Sequence, residues 1–183
     1  ENEIAQSCCS SGDIENPNSY ANYWMHNGFV TINGEKMSKS LGNIILVKDL
    51  SEKYHGEVIR LALLSSHYRQ GLDWNDKVAH QAKKLLDKLY KILEDFSDTI
   101  NKELKNISPD FIASLMDDLN TPGFLANLNK LIKDFNLIKT EEDRSIFKTK
   151  LILCGEILGI LQEEPSSWFN EELENIDKNK IDK

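Results

Sequence analysis

From residue 76 onward, apolar residues recur at a period close to 3.6, and this pattern limits the possible folds more than any other feature. Leu85, Leu89, Ile92, Phe96 and Ile100 form one such stripe, a spacing that puts side chains on one face of an α-helix. Ser108-Pro109 places an N-cap residue before a proline whose φ is already helical. Asn120-Thr121-Pro122 repeats that logic and opens a helix carrying Phe124, Leu128, Leu131, Phe135 and Ile138. Thr140-Glu141-Glu142-Asp143 has capping-box spacing and starts a last long helix with Phe147, Leu151, Cys154, Ile157, Leu158 and Leu161. Amphipathic helices joined by short links predict an antiparallel bundle over residues 76–165. Cys154 falls on an apolar face and is expected in the core. Gly155 and Gly159 suggest local close packing. Beyond Pro165 the chain turns polar and charged, which predicts a fraying tail over 166–183.

Residues 1–75 differ in character. Residues 1–9 read as the tail of an element begun upstream, and SSGDIENPN over 10–18 as a polar loop. Ser19 to Asn27 predicts a short helix with Tyr20, Tyr23 and Trp24 on one face, Trp24 being expected in the core. Phe29 to Ile32 alternates in the β manner, and Asn33-Gly34 is a strong hairpin signal because both turn positions need positive φ. Short strands are expected near 29–37 and 44–47, and a helix over Glu52–Ser66. The fold class expected is mainly α, with only short strands in the first part and the helical bundle in the second.

Composition narrows the function. Of 183 residues, 40% are hydrophobic and 28% charged, which suits a globular chain rather than a disordered one. No apolar run reaches the ~18 residues a membrane helix needs. The net charge of −8 divides into −3 over residues 1–75 and −5 over 76–183, so any RNA contact must come from a local basic patch. Three cysteines, Cys8, Cys9 and Cys154, make a poor disulfide framework and suit a reducing cytoplasm. The opening ENEIAQS has neither a basic start nor an apolar stretch, and the chain is expected to be a fragment.

The hairpin's second arm runs directly into Lys36-Met37-Ser38-Lys39-Ser40, then Leu41-Gly42-Asn43. Two lysines three residues apart on one loop can reach a single polyphosphate. The serines leave the backbone free to approach it, and Gly42 permits a tight reversal. Activation of a carboxylate by ATP gathers negative charge on the α-phosphate and the departing pyrophosphate, so cations aimed there lower the barrier. A hairpin gives such a loop a firm base and lets it act as a lid.

The string KMSKSLGN resembles the signature of class I aminoacyl-tRNA synthetases. ENEIAQS (1–7), residues 19–43, LLSSHYRQGLDW (63–74) and MDDLNTP (116–122) resemble, more narrowly, the cysteinyl-tRNA synthetases. The resemblance covers about residues 1–165 and implies a division: 1–75, the end of a Rossmann-type α/β catalytic nucleotide-binding domain with its loop; 76–165, a helical domain of DALR type; and 166–183, a tail. It implies that ATP and cysteine give cysteinyl-adenylate and pyrophosphate, and that the cysteinyl group passes to its tRNA. Lys39 matches the family's ATP-contacting lysine and Lys36 its partner, so Lys36 and Lys39 are the catalytic candidates, with Met37, Ser38 and Ser40 in the ATP-binding loop. Mg²⁺ is expected with ATP. Family members hold Zn²⁺ through two Cys, one His and one Glu, and of these only Glu3 has a matching position here. A thiolate ligand on zinc would separate cysteine from near-isosteres. A monomer in the cytoplasm is implied.

Other candidates carry less. Cys8, Cys9 and His26 match neither CxxC geometry nor the family's ligand positions. Tyr68 and Arg69, after His67, could stack on and pair with tRNA, or could simply close a helix end. Lys84, Lys88 and Lys91 make a basic stripe of the kind that is usually a solvated face. The sequence lacks the family's HIGH motif and anticodon-recognising region, so the isolated chain is expected to be inactive. Two other readings stay open: a related ligase that joins cysteine to an amino-sugar, and a non-catalytic tRNA-binding helical module.

Overall fold

A computed structural model describes residues 2–13, 16, 20–95 and 107–170. Helix α1 (Asn2–Ser11) opens the chain. Strands β1 (Val30–Ile32) and β2 (Glu35–Lys36) pair antiparallel, with Thr31 opposite Lys36. Asn33 (φ 51°) and Gly34 (φ 82°) make the turn, as the Asn-Gly signal demands. The helix expected over 52–66 forms only as α3 (Gly56–Leu64), and a separate short helix, α2 (Val47–Ser51), precedes it. Helix α3 starts late because His55 is its N-cap, the ring accepting the Glu57 N–H.

Strand β3 (Leu72–Trp74) lies parallel to β1, giving the sheet order β2-β1-β3. Three residues without clear alternation gave no strand signal in the sequence. Parallel strands need a crossover connection, and the crossover here contains the KMSKS loop, α2 and α3. The strand expected at 44–47 does not form: Val47 already begins α2, while Ile44 and Leu46 are exposed. Nor do residues 20–27 form a helix. Tyr23 is 94% exposed and Trp24 48%, so the aromatic face meets no surface that would stabilise a helix this short. Trp24 instead stacks on His26 at 6.3 Å and is not a core residue.

The helical part follows the periodicity closely. Helix α4 (Asp76–Glu94) is capped by Asn75 and buries Leu86, Leu89 and Tyr90 against α3. Phe96 and Ile100 lie outside the described residues. Helix α5 (Pro109–Met116) packs on α6 (Thr121–Asp134), which is capped by the Asn120 side chain and runs into a 3-10 turn at Phe135–Leu137. Helix α7 (Glu141–Leu158) begins at Thr140, whose Oγ1 accepts the Asp143 N–H. Cys154 is fully buried, and burial pushes its thiol up to about 12. After α7 the chain folds back on itself. A Cβ at Gly155 would lie 2.8 Å from the Ile160 carbonyl, so the close packing is between the helix and its own exit.

That exit is fixed by a buried carboxylate. Glu57, on α3, accepts the Tyr90 hydroxyl of α4 and the backbone N–H groups of Leu161 and Gln162, at 2.8 to 3.0 Å. Burial raises the Tyr90 phenol pKa, so it remains a donor. Packing continues past Pro165 rather than fraying there. Residues 165–170 are helical, and Trp168 is buried, stacked on Tyr90 and hydrogen-bonded to Asp87. Residues 171–183 lie outside the described residues. Among the described residues no helix is long and apolar enough to cross a membrane.

Glu57→Gln keeps the volume but turns an amide donor toward one of the N–H groups. It is expected to lower stability by about 1–3 kcal/mol, read as a lower urea midpoint. An unchanged midpoint would show that the network carries no weight.

Candidate functional site

The KMSKS loop leaves the hairpin at Lys36 and is closed by Asn43. The Asn43 side chain accepts the Ser38 N–H at 2.9 Å and donates to the Lys36 carbonyl at 3.2 Å. One amide thus joins both ends of the loop, much as a ladder rung would. Within the loop the Ser38 and Ser40 hydroxyls lie 3.2 Å apart, Leu41 N–H donates to Ser38 Oγ, and Gly42 N–H to the Lys39 carbonyl. Met37 is half-buried against the core and anchors the loop. Lys36 and Lys39 are exposed. The Lys36 ammonium sits over the Phe29 ring, 5.1 Å from its centroid. The Lys39 ammonium has no hydrogen-bond or ion-pair partner among the described residues. Two cations are therefore presented to solvent from a backbone held at both ends.

The hairpin beneath is gripped from β3. Asp73 Oδ1 accepts the Gly34 N–H at 2.6 Å and the Thr31 hydroxyl at 2.8 Å, while Oδ2 accepts from Asn75. These donors hold the Asp73 carboxyl below the usual carboxylate range, the Gly34 N–H contributing most.

Tyr68 and Arg69 are occupied within the fold. The Tyr68 hydroxyl donates to Asp118 Oδ1, and Arg69 reaches both carboxylate oxygens of Asp118. His67 Nε2 donates to the Asp118 carbonyl at 2.9 Å while its Nδ1 accepts the Arg69 N–H, which defines the ring's tautomer. The rings of His67 and Tyr68 stack at 4.9 Å, and Arg69 lies over Tyr68. Two segments about fifty residues apart, HYRQ and DDLNTP, thus meet on one aspartate. Arg69 and Asp118 stay about half exposed.

Glu3 is exposed in the first turn of α1. It belongs to no group of three or more His, Cys, Asp or Glu residues able to hold a metal among the described residues, so these residues do not by themselves fit a zinc site. Cys8, Cys9 and Cys154 are free thiols. Lys84 and Lys88 are exposed, and Lys91 pairs with Glu94 at 2.7 Å. Sequence reasoning missed the holding roles of Asn43, Asp73 and Asp118. Asn43 and Asp118 lie inside recognisable strings, but what each holds depends on partners that only folding supplies.

Residues 1–84 match the family described as tRNA synthetases class I (C) catalytic domain, and residues 110–162 match the DALR domain. A cysteine--tRNA ligase of Rickettsia rickettsii (strain Sheila Smith) is 45% identical over 181 residues, which is 98% of this chain and 38% of that protein. One from Rickettsia massiliae (strain Mtu5) is 46% identical over 96% of this chain and 37% of that protein. One from Rickettsia bellii (strain OSU 85-389) is 42% identical over 98% of this chain and 37% of that protein. Among solved structures, a LeuRS of Agrobacterium radiobacter K84, in a ternary complex with tRNA and LeuAMS, superposes with a TM-score of 0.54 at 15% identity. The match covers 79% of this chain and 22% of the LeuRS chain, and speaks for the fold alone. Sheet, loop and matches together define a class I aminoacyl-tRNA synthetase chain. It belongs to the cysteine--tRNA ligase family, and it spans about 38% of the length of the relatives it matches.

Asn43→Ala removes both loop-closing bonds and is expected to speed amide exchange at Ser38 by about tenfold. Asp118 should show a clear pH signature. Its carboxyl is held at about 2, against 3.8 when free, chiefly by Arg69 and then by Tyr68. A depressed native pKa gives stabilisation that is complete above the free value and lost as pH falls through the native one. Carboxyl-carbon NMR is therefore expected to find Asp118 still ionised at pH 3.8, with titration centred near 2.

Proposed function

We propose that this chain supplies the loop and helical regions of an enzyme that activates cysteine with ATP and transfers it to its tRNA. The observation that carries the reading is the closed KMSKSLGN loop, fixed at both ends, with Lys36 and Lys39 exposed. A polyphosphate arriving there meets two cations and the backbone of Ser38–Gly42 without displacing an internal ion pair among the described residues. As pyrophosphate leaves, its growing charge is met by the Lys39 ammonium, and Lys36 adds to the same field. Ser38 and Ser40 offer hydroxyls to phosphate oxygens, and Met37 keeps the loop seated. Mg²⁺ accompanies the ATP.

The inferred division puts residues 1–75 with the nucleotide-binding domain and 76–165 with the helical domain. The parallel β1–β3 pair and the capped helices respectively support it. Tyr68 and Arg69 are candidate tRNA contacts. Their stacked, half-exposed arrangement suits a phosphate and a base, and RNA binding there would compete with Asp118 for the guanidinium. Zinc enters none of the steps assigned to this chain, because Glu3 is one ligand of the four the metal takes. Three free thiols fit a reducing cytoplasm, and the enzyme is taken to act as a monomer.

The test is cysteine-dependent ATP–pyrophosphate exchange by a polypeptide of the relatives' full length that carries this chain. Lys39→Ala is expected to lower kcat by about 100- to 1,000-fold, with serine inactive throughout. Exchange that survives the substitution would remove Lys39 from the mechanism.

A further inference from the structure

We infer that Asp118 is a positioning residue for the KMSKS loop: it holds His67–Arg69, and with them the bridge of residues 67–74 on which the loop-bearing hairpin rests. On one side of the bridge, three consecutive residues bond to Asp118, through its carboxylate and its carbonyl. On the other side, the Tyr68 carbonyl accepts the Gly28 N–H at 2.6 Å, Leu72 N–H donates to the Phe29 carbonyl, and Asn33 N–H donates to the Trp74 carbonyl. The Asp73 carboxylate then pins the hairpin turn through Gly34 and Thr31. Every step from Asp118 to the base of the loop is thus bonded.

Asp118 is itself firmly placed. Its φ is 52° and that of Leu119 is 54°, so two consecutive residues other than glycine occupy the left-handed region. Such a turn persists only where its surroundings enforce it, and it tends to mark functional elements. Here the enforcement comes from α5 and α6: Leu119 N–H donates to the Leu115 carbonyl, Asn120 N–H to the Ser114 carbonyl, and the Asn120 side chain caps α6. Aspartate tolerates this conformation better than most residues and also supplies the acceptor oxygens. Side-chain exposures of 54% for Arg69 and 47% for Asp118 make the ion pair a weak source of stability. Four directed bonds at a surface joint serve orientation better than stability. The elbow between α5 and α6 therefore sets the pose of the hairpin, and a displacement of the helical part reaches Lys36 and Lys39 through the bridge. What the loop does there rests on the ligase reading, whereas the mechanical link does not.

Amide hydrogen exchange on this chain tests the link without any substrate, so its failure is separate from failure of the ligase reading. Asp118→Ala is expected to speed exchange at Gly28, Gly34, Ser38 and Leu72 by about tenfold, with Leu86 and Leu89 in α4 unchanged. Asp118→Asn keeps the turn and an acceptor oxygen, and is expected to recover most of the protection. If Asp118→Ala disturbs α4 as well, the double variant Tyr68→Phe/Arg69→Gln decides. It removes the three bonds to the carboxylate without touching the strained turn, and it must reproduce the pattern at Gly28, Gly34, Ser38 and Leu72. Changes confined to residues 117–121, or protection at Ser38 that survives the double variant, would overturn the inference.

Discussion

The carboxylate of Glu57 is the interaction on which the rest of the structure depends. A carboxylate beneath the surface is costly unless donors surround it. Glu57 meets that condition with a phenol from α4 and two backbone N–H groups from the chain leaving α7. Three elements distant in sequence are fixed to one another by a group too short to reach any other arrangement. Trp168 then covers Tyr90 by stacking, so the network is sheltered by the segment that follows it. Apolar burial supplies the driving force for packing, but it is non-directional. The carboxylate gives the packing one orientation.

From that fixed centre, rigidity passes outward to an exposed site. Helix α3 carries Glu57 and leads through residues 65–71 into β3. Asp73 at the sheet grips the hairpin, and Asn43 closes the loop above it. Asp73, Asn43 and Ser38 are half-buried, and each of these hydrogen bonds alone would contribute only about 1 kcal/mol to stability. Their effect lies in pre-organisation. On the proposed function, a loop that meets phosphate with two ammonium groups gains from a backbone that need not be ordered when the ligand arrives.

Local chemistry was legible where a residue's neighbours in sequence are also its partners in space. Asn33-Gly34 made the turn it predicts, Asn120 and Thr140 capped the helices they precede, and Cys154 lies on the buried face its spacing indicated. The string KMSKSLGN marks the class I synthetases, and the segments at 1–7, 19–43, 63–74 and 116–122 mark the narrower family. Expectations failed where the outcome depended on distant surface. Tyr20, Tyr23 and Trp24 have helical spacing, yet all three stay exposed. Ile44–Val47 is apolar and rich in β-branched residues, yet finds no strand beside it among the described residues. Trp168 sits near a charged terminus and is nonetheless core.

The sequence by itself therefore determined the helices of the second half, the hairpin, the loop and the family. Each rests on contacts within a few residues, where spacing and turn chemistry decide the outcome. Only the tertiary structure decided that Leu72–Trp74 is a strand, that Glu57 is the centre of the packing, and that Tyr68 and Arg69 answer to Asp118. Those facts are pairings across separations of some thirty to one hundred residues, made by directional hydrogen bonds. No local pattern encodes such a pairing, because the partner is chosen by where the whole chain brings it.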